Sequence, residues 1–100
     1  MLDEPGPTEL TEHERREVLR THMPQGRITS IPVRRLARLV LLDQVAGAFE
    51  PGVRYTEDEV NSVLRSFSAN LVVLRRSLMD EGFMEHDRTR YWRCGGTVDL

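Results

Sequence analysis

Lysine is absent from this 100-residue chain, and all fourteen basic residues are arginine. Guanidinium suits bidentate bonding to phosphate or carboxylate, although a GC-rich coding bias accounts for the missing lysines equally well. Cysteine occurs once, at Cys94. That excludes an internal disulfide framework and fits a reducing compartment. No apolar run approaches the length of a membrane span, and the first residues lack the basic-then-apolar order of a signal peptide. The expected location is the cytoplasm, with no membrane partner. His13, His22 and His86 are scattered, and no histidine or cysteine pair has metal-ligand or nucleophile–base spacing. Gly95-Gly96 lacks the context of a phosphate loop. No catalytic residue, metal or cofactor is therefore expected, and an enzyme is not the expected reading.

What is present is a hydrophobic content of 39%, enough for a modest core and too much for wholesale disorder. Length and composition predict one domain over residues 8–94, between flexible tails at 1–7 and 95–100. The net charge of −2 is uneven. Residues 1–25 carry three arginines against six acids, and residues 26–94 carry eleven against nine. The longer part is thus mildly basic, short of the excess usual in strong nucleic-acid binders.

The region from Tyr55 to Arg93 predicts helix, turn, helix and hairpin. Thr56 followed three residues later by Glu59 is a capping box, and Val60, Val63, Leu64 and Phe67 recur at helical spacing behind it. Ser68 is a suitable cap for the second helix, which carries Leu71, Leu74 and Leu78 and stops at Gly82. Two short strands around a turn at Asp87-Arg88-Thr89 then read as a hairpin. Tyr91 and Trp92 should face opposite sides of their strand, one entering the core and the other covering the helices or meeting a partner.

Ahead of this region, Thr11 and Glu14 form another capping box, with Thr8 as an alternative cap for the same helix. Leu10, Val18, Leu19 and Met23 give that helix a thin apolar stripe suited to the domain surface. Arg27 to Ile31 is β-branched enough to predict a strand, which would join the hairpin in a three-stranded antiparallel sheet. A helix from Val33 to about Phe49 follows Pro32, with Val33, Leu36, Ala37, Val40, Leu41, Gln44 and Ala48 on one face. The fold class expected is α+β, a winged helix-turn-helix with an extra N-terminal helix.

Arg34, Arg35 and Arg38 crowd a positive helix pole, a conflict that bound phosphate would resolve. On the second helix of the helix-turn-helix, Arg75 shares the core-facing side with Leu71 and Leu78, so it should pair with Glu57 or Glu59. Arg76 is further round, while Asn70, Val73, Ser77 and Asp80 form the outward face. Asn70 has the groups to read adenine, although Asp80 and Glu81 would repel phosphate. Arg88 and Arg90 lie at the hairpin tip, where a wing touches DNA. The DNA-contacting set expected is Arg34, Arg35, Arg38, Asn70, Arg76, Ser77, Arg88 and Arg90.

Four stretches carry a family resemblance: G-R-I-x-x-I-P at Gly26 to Pro32, F-E-P-G-V-R-Y-T-E-D-E-V-N at Phe49 to Asn61, L-R-R-S-L-M-D-E-G at Leu74 to Gly82, and Y-W-R at Tyr91 to Arg93. From about Leu10 to Arg93 the chain resembles the bacterial domain-of-unknown-function family 2087. Such domains occur alone or behind a DNA-binding helix-turn-helix in proteins described as transcriptional regulators. The resemblance places Tyr55, Glu57, Glu59, Asn61, Arg75 and Arg76 at motif positions and implies a regulatory context without a settled activity. Asn70 stands where the family tends to be acidic, and Arg34 and Arg38 where it tends to have lysine. The expected function is DNA binding in a bacterial transcriptional regulator, with double-stranded DNA as partner. The alternative is a protein-interaction or homodimerisation module on the same fold.

Overall fold

The structure, a computed structural model, describes residues 10–94. The expected tails at 1–7 and 95–100 lie outside the described residues. Among the described residues the fold is mixed α+β: four helices and a two-stranded antiparallel sheet, in the order α1 (Glu12–His22), α2 (Arg35–Ala46), α3 (Glu57–Arg65), α4 (Leu71–Asp80), β1 (Met84–His86) and β2 (Tyr91–Arg93). The chain divides into two compact units, Met1–Leu41 and Leu42–Leu100, with the division inside α2.

In the N-terminal unit, α1 starts at the capping box expected for it. Thr11 Oγ1 accepts from Glu14 N at 3.1 Å, and Glu14 Oε1 accepts from Thr11 N at 2.9 Å. The helix has no fully buried residue, as its thin stripe implies. Among the described residues of this unit, Met23, Pro32, Ala37, Val40 and Leu41 are buried.

The segment from Arg27 to Ile31 is not a strand. Its polar groups bond to the end of α1 instead. Thr29 N donates to His22 O at 2.8 Å, and His22 Nδ1 lies 3.1 Å from the Ser30 carbonyl oxygen. A segment held in this way has a partner for its backbone without joining a sheet. The expected three-stranded sheet is therefore two-stranded among the described residues.

Helix α2 is shorter than its apolar pattern suggests. Arg34 O accepts the first helical bond, from Arg38 N at 2.9 Å, so Val33 lies outside the helix and is 92% exposed. At the other end, Ala48 N bonds to Val45 O and Phe49 N to Ala46 O, tightening the exit into i→i+3 turns. Ala48 is consequently exposed, as is Gln44, while Leu42, Val45, Ala46 and Phe49 are buried. The apolar face is thus rotated from the one expected toward Val45 and Phe49.

In the C-terminal unit, α3 has its capping box at Thr56 and Glu59 and buries Val60 and Leu64. Residues Ser66–Asn70 turn the chain into α4, which packs on α3 through its buried Leu74 and Leu78. The cap of α4 is Asn70, not Ser68. Asn70 Oδ1 accepts from Val73 N at 3.4 Å, while Ser68 Oγ accepts from Asn70 N at 3.0 Å. Gly82, at φ +81°, ends α4 as expected, with Phe83 N donating to Leu78 O at 2.9 Å. That conformation favours glycine and satisfies a terminal carbonyl of the helix.

The hairpin pairs Met84 with Arg93, Glu85 with Trp92 and His86 with Tyr91. A single bridge extends it. Tyr55 N donates to Tyr91 O at 2.7 Å and Tyr91 N to Tyr55 O at 2.8 Å. The sheet thus finds its third contact in the segment leading into α3. Tyr55 also meets Phe49 edge-on, with ring centroids 5.1 Å apart, and its hydroxyl accepts from Glu50 N at 2.8 Å.

Candidate nucleic-acid interface

The expected site residues fall into both units. In the N-terminal unit, the conflict at the α2 pole is answered from within the chain. Arg38 is half-buried, and its guanidinium donates to Val33 O at 2.9 Å and Pro32 O at 3.5 Å. Arg35, though exposed, also interacts within the chain. Arg34 is exposed at the cap position of α2. Arg38 therefore does not require phosphate to be accommodated at this pole.

In the C-terminal unit, the outward face of α4 carries Val72, Val73, Arg76 and Asp80, all exposed. Ser77 is half-buried, and Asn70 is occupied with the cap, with its amide oxygen turned to Val73 N. Arg88 and Arg90 are exposed at the hairpin tip. The charge balance here is unfavourable to a strong nonspecific binder. Residues 42–94 hold seven arginines against nine acids, whereas residues 10–41 hold seven against three. The mild basicity of residues 26–94 thus comes from Arg27, Arg34, Arg35 and Arg38. Any phosphate-binding surface of α4 and the hairpin must be local.

The hairpin tip is ordered by Asp87. Its Oδ1 accepts from Thr89 N and from Arg90 N, each at 2.9 Å. These backbone bonds, Thr89 first and Arg90 next, hold the carboxyl below the ordinary aspartate range, with Arg54 adding attraction against slight desolvation. A carboxyl lowered on folding stabilises the fold above its unfolded-state value, and this contribution is lost as pH falls through the lowered one.

No motif or spacing in the sequence points to the contact that joins the tip to the segment before α3. Arg54 lies 4.1 Å over the Trp92 ring and 3.7 Å from Asp87 Oδ2. Trp92 is therefore half-buried beneath an arginine, while Tyr91 stacks on His86 at 5.2 Å, and neither ring is a fully buried core residue. Arg54→Ala should lower stability by about 0.5–1 kcal/mol. It should also shift the emission of Trp92, the single tryptophan, toward longer wavelength. Fluorescence of the variant checks this, and an unchanged emission maximum would show that the guanidinium does not cover the ring.

Arg75 faces inward, as its position predicts, but with a different principal partner. Its Nη1 donates to Asn61 Oδ1 at 2.5 Å, while Glu57 Oε2 is 3.9 Å away. Glu59 is committed to the capping box, with Oε1 accepting from Thr56 N at 2.8 Å. The Arg75 side chain is 20% exposed and that of Glu57 59%. Removing Arg75 therefore strands no buried carboxylate, the situation that would cost about 3–5 kcal/mol. What it removes is a charge-assisted bond to half-buried Asn61. Arg75→Ala should lower stability by about 1.5–3 kcal/mol, and Glu57→Gln by less than about 1 kcal/mol. Urea melts compare the two; equal losses would show that the bond to Asn61 adds nothing.

Cys94 Sγ lies 3.3 Å from Gly82 O. Desolvation, and then the nearby Glu85 carboxylate, push its thiol above the ordinary range, which disfavours the reactive thiolate. Among the described residues there is no group of three or more histidine, cysteine, aspartate or glutamate side chains able to hold a metal ion. None of the described helices is long and apolar enough to cross a membrane.

No curated protein and no solved structure matches the chain. A family model does match, over residues 27–93, leaving α1 outside it. It takes in α2, both helices of the α3–α4 pair, the Arg75–Asn61 contact and the whole hairpin. On that match the chain belongs to the bacterial domain-of-unknown-function family 2087, described as an uncharacterized protein conserved in bacteria.

Proposed function

We propose that the protein is a DNA-binding transcriptional regulator of winged-helix type, acting in the bacterial cytoplasm. In this reading α3 and α4 are the helix-turn-helix, α4 enters the major groove, and the β1–β2 hairpin is the wing. One observation carries it. A helix–turn–helix is followed directly by a hairpin in one unit, with Arg76 exposed on the outward face of α4 and Arg88 and Arg90 exposed at the hairpin tip. Arg88 and Arg90 supply phosphate contacts, which fix orientation without reading sequence. Arg76, near the middle of α4, contacts a base edge in this reading, guanine being the commonest partner of arginine. Arg34 is a further phosphate contact proposed in the N-terminal unit.

The test is selection from a randomised duplex pool by the full chain at low salt. Enrichment of a common sequence is expected. A pool that is neither retained nor enriched would overturn the proposal.

A second reading, a protein-contact or homodimerisation module, is favoured by a different feature. In the N-terminal unit Val18, Pro32, Val33 and Ala37 help line a groove of about 320 Å³, and Val33 on it is 92% exposed. Sedimentation of the full chain distinguishes this reading. A dimer that Val33→Ser converts to monomer supports it, and a monomer at every concentration opposes homodimerisation.

A further inference from the structure

Helix α4 begins with an apolar step that its own stability does not require. Val72 is 63% exposed and Val73 44% exposed, although neither helps fill the core. Valine is a poorer helix former than alanine, leucine or arginine, so two in succession at exposed helical positions weaken the helix slightly. Their neighbours on the outward face are polar. Asn70 caps the helix just before them, and Arg76 lies four residues after Val72 and three after Val73, on the same side. The first turn of α4 contains no acid. Asp80, the acid on this face, lies about 10 Å further along the axis from Val73. The exposed surface thus runs from an apolar step to a cation before it meets a negative charge.

We propose that Val72 and Val73 contact the C5-methyl groups of thymine in the major groove, and so select thymine at the positions beneath the start of α4. This rests on the DNA-binding reading above. In helix-turn-helix proteins the N-terminal residues of the recognition helix reach the base edges. Thymine alone among the four bases presents a methyl group there, and small apolar side chains recognise it by contact. A β-branched side chain suits this role because its rotamer on a helix is nearly fixed, so little freedom is lost on binding. Arg76 on the same face complements the negative duplex. A protein partner fits less well. Two valines offer a small fraction of the roughly 800 Å² per partner that a stable interface buries, and the surface around them is polar.

The experiment uses the full chain, a duplex enriched from a randomised pool, and a copy with deoxyuridine in place of every thymidine. That copy lacks only the methyl groups. Fluorescence anisotropy should show the thymidine duplex bound about four-fold tighter for each methyl contacted. The Val72→Ser/Val73→Ser variant should bind the two duplexes equally. Both positions are exposed, so the variant should fold, which a thermal melt verifies.

Equal, salt-dependent binding of both duplexes by the unmodified chain would overturn this inference and leave the DNA reading standing. Discrimination that persists in the double-serine variant would move it to other residues and overturn the assignment. Absence of salt-dependent binding to either duplex would overturn the DNA reading and this inference with it. A dimer dissociated by the double-serine variant would then mark the face as a protein contact.

Discussion

Replacing Phe49 with alanine should destabilise the protein by about 3–5 kcal/mol. Phe49 is 1% exposed and follows the last tightened turn of α2. Its ring meets Tyr55 edge-on, and Tyr55 in turn bonds to Tyr91 through both backbone groups. Its carbonyl oxygen accepts from Arg93 Nη1 at 3.2 Å. The ring therefore lies where the exit of α2, the entry to α3 and the hairpin come together. Truncation removes its buried surface and leaves a cavity that these tied segments cannot easily close. Tyr55→Phe keeps the ring pair and loses only the hydroxyl that accepts from Glu50 N, so it should cost about 0.5–1.5 kcal/mol. Urea unfolding of both variants checks the ranking. A Phe49→Ala loss no larger than that of Tyr55→Phe would show that the ring is not the keystone of this unit.

On the proposed function, replacing Arg88 and Arg90 together with glutamine should weaken binding to every duplex alike, and should reduce the slope of log affinity against log salt by about 1.8 units. The hairpin itself should survive. The bonds that order its tip run from the backbone N–H groups of residues 89 and 90 to Asp87, and glutamine retains both. Arg76→Ala should behave differently. On the proposed function, in which Arg76 contacts a base edge, its removal should cost about 1–3 kcal/mol on the enriched duplex and relax the preference at one base pair. Anisotropy titrations on an enriched and a scrambled duplex separate the two. The same uniform loss in both variants would make Arg76 a phosphate contact.

Much of the fold is legible in the sequence because it is set by chemistry within a few residues. Thr11 with Glu14 and Thr56 with Glu59 mark the starts of α1 and α3, since each pair satisfies its own backbone donors. Gly82 marks the end of α4 because its conformation disfavours a side chain. The errors arise where a second local solution competes. Ser68 and Asn70 can both cap a helix, and the one nearer the first apolar residue does so. The residues from Arg27 to Ile31 have strand-like composition, yet the end of α1 supplies their hydrogen-bond partners. The apolar pattern around α2 runs on through positions that lie outside the helix, which is why it places Val33 and Ala48 among core residues.

The candidate site is less legible for a related reason. A helical wheel separates Arg75 from Arg76 correctly, but it does not say that Asn61 rather than Glu59 faces Arg75. Nor does it reveal that Arg38 turns back onto the carbonyls of Pro32 and Val33. The cover of Arg54 over Trp92 depends on proximity between residues distant in the chain, and no spacing rule anticipates it.

The most direct test of the proposed function is a salt titration of the unmodified chain on a fluorescent duplex. With Arg88 and Arg90 each neutralising one phosphate, log affinity should fall linearly with log salt at a slope of about −1.8. Absence of salt-dependent binding to an enriched or a scrambled duplex, even at low ionic strength, would contradict DNA binding.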